Sequence, residues 1–323
     1  MARPLRVEYE GAFYHVTSRG NDRGKIFFSE ADYKKFLSYL KEAKEKYDIV
    51  LQCYVLMTNH YHLLMETPEA NLSKVMHYLN GSYNTYINVK RKRSGHLFQG
   101  RFKSIIVDRD SYLGELSRYI HLNPVRAGIV AKPEDYAHSS YHAYLSGKKD
   151  DLVSTEALFE LVGGGKDKAR SRYRAFVEAG TGRELENPTA KIYGGMILGG
   201  AKFIKETLRK LKEEYLGKPE ISHRRTLKSA EMADEIMSAV GGRYKISGEG
   251  SAAGRQREAR NVAIYLLKKH TGMTNRATGE RCGGLTYSAI TKACGKLEGE
   301  MAKNRRLQTL VARVEKDLSR FKG

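Results

Sequence analysis

Between residues 49 and 66 two apolar stretches, IVLQCYVLM and HYHLLME, are separated by only Thr58-Asn59. Both stretches are strand-like in composition, and the two polar residues between them break the run. So short a connection permits only antiparallel pairing, because parallel strands need a long crossover. A β-hairpin is therefore expected at the centre of the N-terminal region, and neighbouring elements must pack around it.

Those neighbours are also readable. Residues 11–18, AFYHVTSR, form a strand. Ser29 caps a helix through about Tyr47, with Phe36, Leu37 and Leu40 as its apolar positions. Asn71 caps a second helix, to about Val89, and after a basic loop residues 104–107 form a short strand. Asp108 or Asp110 caps a third helix, which Asn123-Pro124 ends. Antiparallel strands alternating with helices predict an α+β domain over 1–147, a ferredoxin-like antiparallel sheet with helices on one side. Residues 148–227, punctuated by Gly163-Gly164-Gly165, Gly194-Gly195 and Gly199-Gly200, read as a helical connector, and 228–323 as an all-α domain.

The chain has 323 residues, enough for two or three cores, and a net charge of +20. That excess points to a polyanionic partner, nucleic acid before membrane. No run of 18 apolar residues is present, so no spanning helix is expected. Met1-Ala2-Arg3-Pro4-Leu5-Arg6 leads into charged sequence rather than a secretory core. Cys53, Cys282 and Cys294 form no CxxC pair, which argues against a disulfide framework or a zinc knuckle and for a reducing cytoplasm. With DNA as the partner, the expected location is cytoplasmic and nucleoid-associated.

His60 and His62 lie two apart on the second hairpin strand. Alternation puts both imidazoles on one face and Tyr61 on the other, so the pair can hold one divalent cation or be two half-buried structural histidines. On the third helix Tyr119 and Asn123 are spaced i, i+4 and share a face. Asn123 can complete a cation's shell through its carbonyl oxygen, and Tyr119 can offer a phenol to a phosphate held there. Attack by tyrosine on a phosphodiester conserves the bond for rejoining. Tyr112, one heptad earlier, is a rival nucleophile, and His121 falls off the metal face.

Four blocks resemble the IS200-like transposase family: Phe13-Tyr14-His15-Val16-Thr17-Ser18-Arg19-Gly20-Asn21, Val55-Leu56-Met57-Thr58-Asn59-His60-Tyr61-His62-Leu63-Leu64, Leu97-Phe98-Gln99-Gly100-Arg101-Phe102-Lys103-Ser104, and Tyr119-Ile120-His121-Leu122-Asn123-Pro124-Val125-Arg126-Ala127-Gly128. Their order over about 5–145 is most similar to the branch of REP-associated tyrosine transposases. The resemblance implies an HUH-type catalytic domain that cleaves single-stranded, hairpin-associated DNA through a 5′-phosphotyrosine. It puts Tyr119 at the nucleophile's place rather than Tyr112, His60 and His62 at the metal ligands', and Asn123 at a third ligand's, with Mg2+ or Mn2+ as cofactor. A monomer or a homodimer is compatible with it. The alternative functions are a non-catalytic DNA-binding regulator derived from a transposase, and an RNA-processing enzyme.

The expected single-strand track is Lys90, Arg91, Lys92, Arg93, Arg101 and Lys103, with Phe98 and Phe102 interleaved and no acid among residues 90–103. Cations neutralise phosphates and rings stack bases. The other reading of the phenylalanines is plain core. Arg19, Asn21 and Arg23 follow the first strand and are candidate contacts near the cation, or ordinary turn residues.

In the C-terminal region a helix over residues 259–268, a turn, a short helix and a longer one from Thr286 give a helix-turn-helix outline. Ala259-Arg260-Asn261-Val262-Ala263-Ile264-Tyr265-Leu266 and Gly283-Gly284-Leu285-Thr286-Tyr287-Ser288-Ala289-Ile290 resemble the DNA-binding domain of the replication initiator DnaA. The resemblance implies contact with duplex DNA, with Arg255, Arg257, Thr286, Tyr287 and Ser288 as candidates. Thr286-Tyr287-Ser288-Ala289 departs from the initiator's Asp-His-Thr-Thr, so its sequence preference is not carried over. No P-loop is present.

Overall fold

The computed structural model describes residues 6–146, 148–163, 165–182, 188–215, 224–244 and 253–320. The chain divides into two compact units, Met1–Ser222 and His223–Gly323.

The first unit is built on a sheet of β1 (Ala12–Arg19), β2 (Val50–Met57), β3 (His60–Thr67), β4 (Lys103–Val107) and β5 (Ile197–Leu198), in the order β2-β3-β1-β4-β5. The expected hairpin is β2–β3, and its two-residue turn pairs Met57 with His60. β1 lies antiparallel between β3 and β4. Three helices carry the rest of the frame: α1 (Glu30–Tyr47), α2 (Leu72–Lys90) and α3 (Arg109–His121).

The α+β class is as expected, with two differences. The sheet is mixed rather than wholly antiparallel, because β5 joins β4 in parallel. Helices also cover both faces rather than one. On the Tyr61 face, that ring lies 4.9 Å from Phe36 of α1 and its hydroxyl donates to Asn80 of α2. On the His62 face lies α3, whose Tyr119 ring is 5.9 Å from His62. A sheet apolar on both faces must be covered twice, and Leu63, Leu64 and Met65 are all fully buried.

After α3 come α4 (Asn123–Arg126), α5 (Tyr141–Leu145), α6 (Glu156–Val162), α7 (Gly165–Glu178) and α8 (Ala201–Tyr215). The segment read as a connector thus supplies β5 and helices α6 to α8 to the first unit. Its residues 183–187 and 216–223 lie outside the described residues. A buried polar knot ties α7 to α3. Tyr173 donates to Ser117 at 3.0 Å and sits 2.9 Å from His121 Nδ1, while His121 Nε2 meets Ser140 Oγ at 2.9 Å.

The second unit contains α9 (Arg224–Tyr244), α10 (Ala253–Thr271), α11 (Asn275–Arg281), α12 (Tyr287–Lys303) and α13 (Arg305–Arg320). Its core includes Ile236, Val262, Leu266, Ile290, Leu297 and Val314. The Gly284 and Leu285 amides both donate to the Gly279 carbonyl, closing the turn between α11 and α12. A Cβ on Gly279 would sit 2.1 Å from the Leu285 oxygen, so only glycine allows that approach. No described helix is long and apolar enough to cross a membrane.

Candidate active site

Register assembles the site. Thr17 pairs with His62 and Arg19 with His60 across β1 and β3, while Val55 and Met57 flank the same histidines from β2. Paired residues share a face, so His15, two residues from Thr17, lies diagonal to His62. The His60 and His62 rings are 5.1 Å apart. Tyr119 presents its ring edge-on to His62 from α3, and the Arg126 guanidinium lies 5.0 Å from the Tyr119 ring centre. Asn123, at the start of α4, adjoins the His60 side chain. Tyr112, two turns before Tyr119, makes no ring contact with either histidine among the described residues.

Each imidazole is held through Nδ1. Asn59 uses its amide nitrogen to donate to the Arg23 carbonyl at 3.1 Å, which turns its Oδ1 toward His60 Nδ1, 2.7 Å away. His62 Nδ1 lies 2.8 Å from His15 Nε2. Burial holds His62 well below its ordinary value, and His15 and His60 beside it push further. Burial and the Arg19 guanidinium lower His60 as well. Both rings are thus neutral bases at pH 7, the state a metal ligand needs.

The hairpin turn is locked to the loop after β1. Gly20 and Ile26 donate to the Asn59 and Thr58 carbonyls at 2.8 and 2.9 Å. A Cβ at Gly20 would meet the Gly24 oxygen at 2.0 Å, so glycine is required there. Arg19, Asn21 and Arg23 are exposed beside this turn.

The basic loop is heterogeneous. Lys90 is committed to the buried Asp32 carboxylate at 2.5 Å and also reaches Ser29 and Tyr86. Arg91 lies 3.9 Å above the Phe28 ring, and Arg93 reaches the His96 carbonyl. Lys92, Arg101 and Lys103 are exposed. Phe98 packs inward against Tyr61 and Tyr83, and Phe102 is buried beneath Arg6, 3.8 Å away. Three asparagines of α2, one turn apart, fasten the helix to its neighbours, the first to β1 and the other two to this loop. Asn80 donates to Ser18, Asn84 accepts from the Leu97 amide, and Asn88 donates to the Gly95 carbonyl.

In the second unit Thr286 caps α12 by accepting from the Ala289 amide. Tyr287 is 70% exposed and Ser288 is beside the Thr286 hydroxyl. Arg255 and Arg257 are exposed on α10.

Sequence reasoning missed three site residues: His15, Asn59 and Arg126. His15 shares the parity of Thr17 along β1, but its nearness to His62 depends on a register that sequence does not display. Asn59 reads as a turn residue, and Arg126 as the end of a helix.

A strand bearing two imidazoles on one face, opposed by a helix bearing a tyrosine and followed by an asparagine, defines the class of site. Residues 8–123 match the family model described as Transposase IS200 like, and this part of the chain is similar to that family. A REP-associated tyrosine transposase of Haemophilus influenzae is 28% identical over 145 residues, covering 41% of this chain and 81% of the relative. Two replication initiators DnaA are also similar. The one from Picosynechococcus is 32% identical over 65 residues, and the one from Microcystis aeruginosa 28% over 91. These matches span only 14% and 20% of the initiators' own length. A solved structure of a REP-associated tyrosine transposase bound to a REP hairpin aligns with 49% of this chain and 96% of its own, at 17% identity and a TM-score of 0.40.

Proposed function

We propose that the chain is a metal-dependent, single-stranded DNA endonuclease and strand transferase that acts beside DNA hairpins, with Tyr119 as nucleophile. The observation that carries this reading is the Tyr119 ring set edge-on, 5.9 Å from His62, across from the paired imidazoles. Hairpin DNA as the partner rests on the likeness to REP-associated transposases.

The donor chemistry suits a divalent cation. With both Nδ1 atoms occupied, the Nε2 atoms of His60 and His62 are left for it, and the Asn123 amide adjoins His60. Among the described residues no three His, Cys, Asp or Glu side chains converge as a metal cluster. Two imidazoles and an amide oxygen suit Mg2+ or Mn2+ completed by water and phosphate. When bound, the cation polarises the phosphate and stabilises charge on the leaving oxygen. The Tyr119 oxygen loses its proton and bonds to phosphorus, forming the 5′-phosphotyrosine. The 3′ oxygen leaves and takes up a proton. Arg126, beside the Tyr119 ring, supplies positive charge where the phosphate arrives. Attack by a 3′-hydroxyl on the phosphotyrosine reverses the step and joins strands.

This catalytic chemistry is assigned to residues 1–147. Residues 228–323 are assigned to duplex DNA, with α11 and α12 as a helix-turn-helix. Exposed Tyr287 and Ser288 at the start of α12, and Arg255 and Arg257 on α10, support that assignment.

The test is covalent capture. Incubated with labelled single-stranded hairpin DNA and Mn2+, the wild type should yield a protein–DNA adduct that Tyr119→Phe abolishes and Tyr112→Phe retains. Absence of a wild-type adduct, with hairpin binding intact, favours the non-catalytic regulator.

A further inference from the structure

His15 is buried, and its side chain makes one hydrogen bond among the described residues, Nε2 to His62 Nδ1 at 2.8 Å. The two rings are nearly coplanar, 9° apart, with centroids at 5.1 Å. The other nitrogen, His15 Nδ1, is buried with no partner among the described residues. An imidazole kept for packing alone would do better as an apolar side chain, since an orphaned polar atom destabilises a core. What His15 contributes is therefore its bond to His62.

We propose that His15 is a positioning residue for the cation site, accepting the Nδ1 proton of His62 so that His62 Nε2 carries the lone pair toward the ion. The inference rests on reading His60 and His62 as cation ligands. A neutral imidazole has one N–H, so the two tautomers are linked. If His62 donates from Nδ1, His15 accepts at Nε2 and keeps its own proton on the orphaned Nδ1. If His15 donates from Nε2, the His62 proton moves to Nε2 and the ligand is lost. Only the first state can take a cation. Asn59 plays the same part for His60, where an amide oxygen permits one orientation. At His62 the partner can adopt either state, so cation binding and the His15 tautomer are coupled.

The test uses full-length protein labelled with 15N-histidine, with Zn2+ as a diamagnetic probe. In the zinc-loaded wild type, His62 and His15 should both carry protons on Nδ1. His15→Leu should bind Zn2+ about 10–100-fold more weakly, with no loss of melting temperature and with metal-free hairpin binding unchanged. His15→Gln, whose amide oxygen can accept from His62 Nδ1, should recover much of the affinity. A zinc-loaded wild type with the His15 proton on Nε2 overturns the inference without any variant, and so does wild-type zinc affinity in His15→Leu. If the wild type binds no Zn2+, or His60→Ala leaves its affinity unchanged, the cation site itself fails and this inference with it. If His60→Ala abolishes binding while His15→Leu is neutral, only the inference fails.

Discussion

The Tyr173 hydroxyl of α7 lies 2.9 Å from Nδ1 of His121, the last residue of α3, and donates to Ser117 one turn earlier on the same helix. Both contacts are buried, and they sit behind the helix that carries Tyr119. The matched family domain ends at residue 123, so the clamp on this helix comes from outside it. Tyr173→Phe removes both bonds and leaves His121 Nδ1 without its partner. The expected cost is about 1–3 kcal/mol in urea unfolding, with slower adduct formation. An unchanged unfolding midpoint would show that α3 is held without this clamp.

Arg126 touches the Tyr119 ring through its guanidinium, yet it is exposed and carries no structural ion pair in the described residues. Arg126→Ala should slow covalent adduct formation roughly tenfold, the loss of about 1.4 kcal/mol of transition-state stabilisation. Protein stability should not change. Single-turnover rates at saturating DNA read the effect directly.

Acid should unfold the first unit through its buried histidines. Burial pushes His121 down to about 3 and His15 down to about 4. The unfolded chain takes up these protons near pH 6.5, whereas the folded chain refuses them. The stabilisation is therefore complete above pH 6.5 and is lost as pH falls toward the folded values. For His121 the full difference amounts to something on the order of 5 kcal/mol. Urea midpoints taken from pH 7 to pH 4 should fall, and less steeply in His15→Leu than in the wild type. A wild-type midpoint that stays flat across that range would contradict neutral burial.

Lys90 and Lys92 should separate in DNA binding. Both are exposed, but Lys90 is paired with buried Asp32, whereas Lys92 has no ion pair among the described residues. Lys92→Ala should reduce the salt slope of single-strand binding by about 0.7. Lys90→Ala should leave that slope unchanged and lower the melting temperature, because Asp32 would remain buried without its cation. A smaller slope for Lys90→Ala would mean that the lysine leaves Asp32 for phosphate.

Gly279→Ala should destabilise the second unit by about 1–3 kcal/mol, since the new methyl would press on the Leu285 carbonyl. Thermal unfolding of the full chain should show the change, and duplex DNA binding assigned to α12 should weaken with it. Tolerance of the methyl would require a different turn between α11 and α12.

Much of the site was legible because its signals are local. Alternation along β3 put His60 and His62 together, whereas the helical phase expected to join Tyr119 to Asn123 is interrupted, because α3 ends at His121 and Asn123 opens α4. The caps show where local reasoning stops. Ser29, Asn71 and Asp108 all occupy N-cap positions, yet none caps its helix through its side chain. Ser29 accepts from Lys90, Asn71 donates to the Tyr47 carbonyl, and Asp108 accepts from the Gly200 amide. Propensity placed these residues correctly, and distant groups then competed for their oxygens and nitrogens. Phe98 is likewise drawn inward by Tyr61, and Lys90, though exposed, is committed to Asp32.

By itself, then, the sequence determined the hairpin, the shared face of His60 and His62, and the helix presenting Tyr119, because backbone geometry repeats over two to four residues. Only the tertiary structure decided that His15 meets His62, that Tyr173 clamps His121, and that β5 completes the sheet. Those pairs lie 47 residues or more apart. They meet through sheet register and helix packing, which local periodicity does not encode.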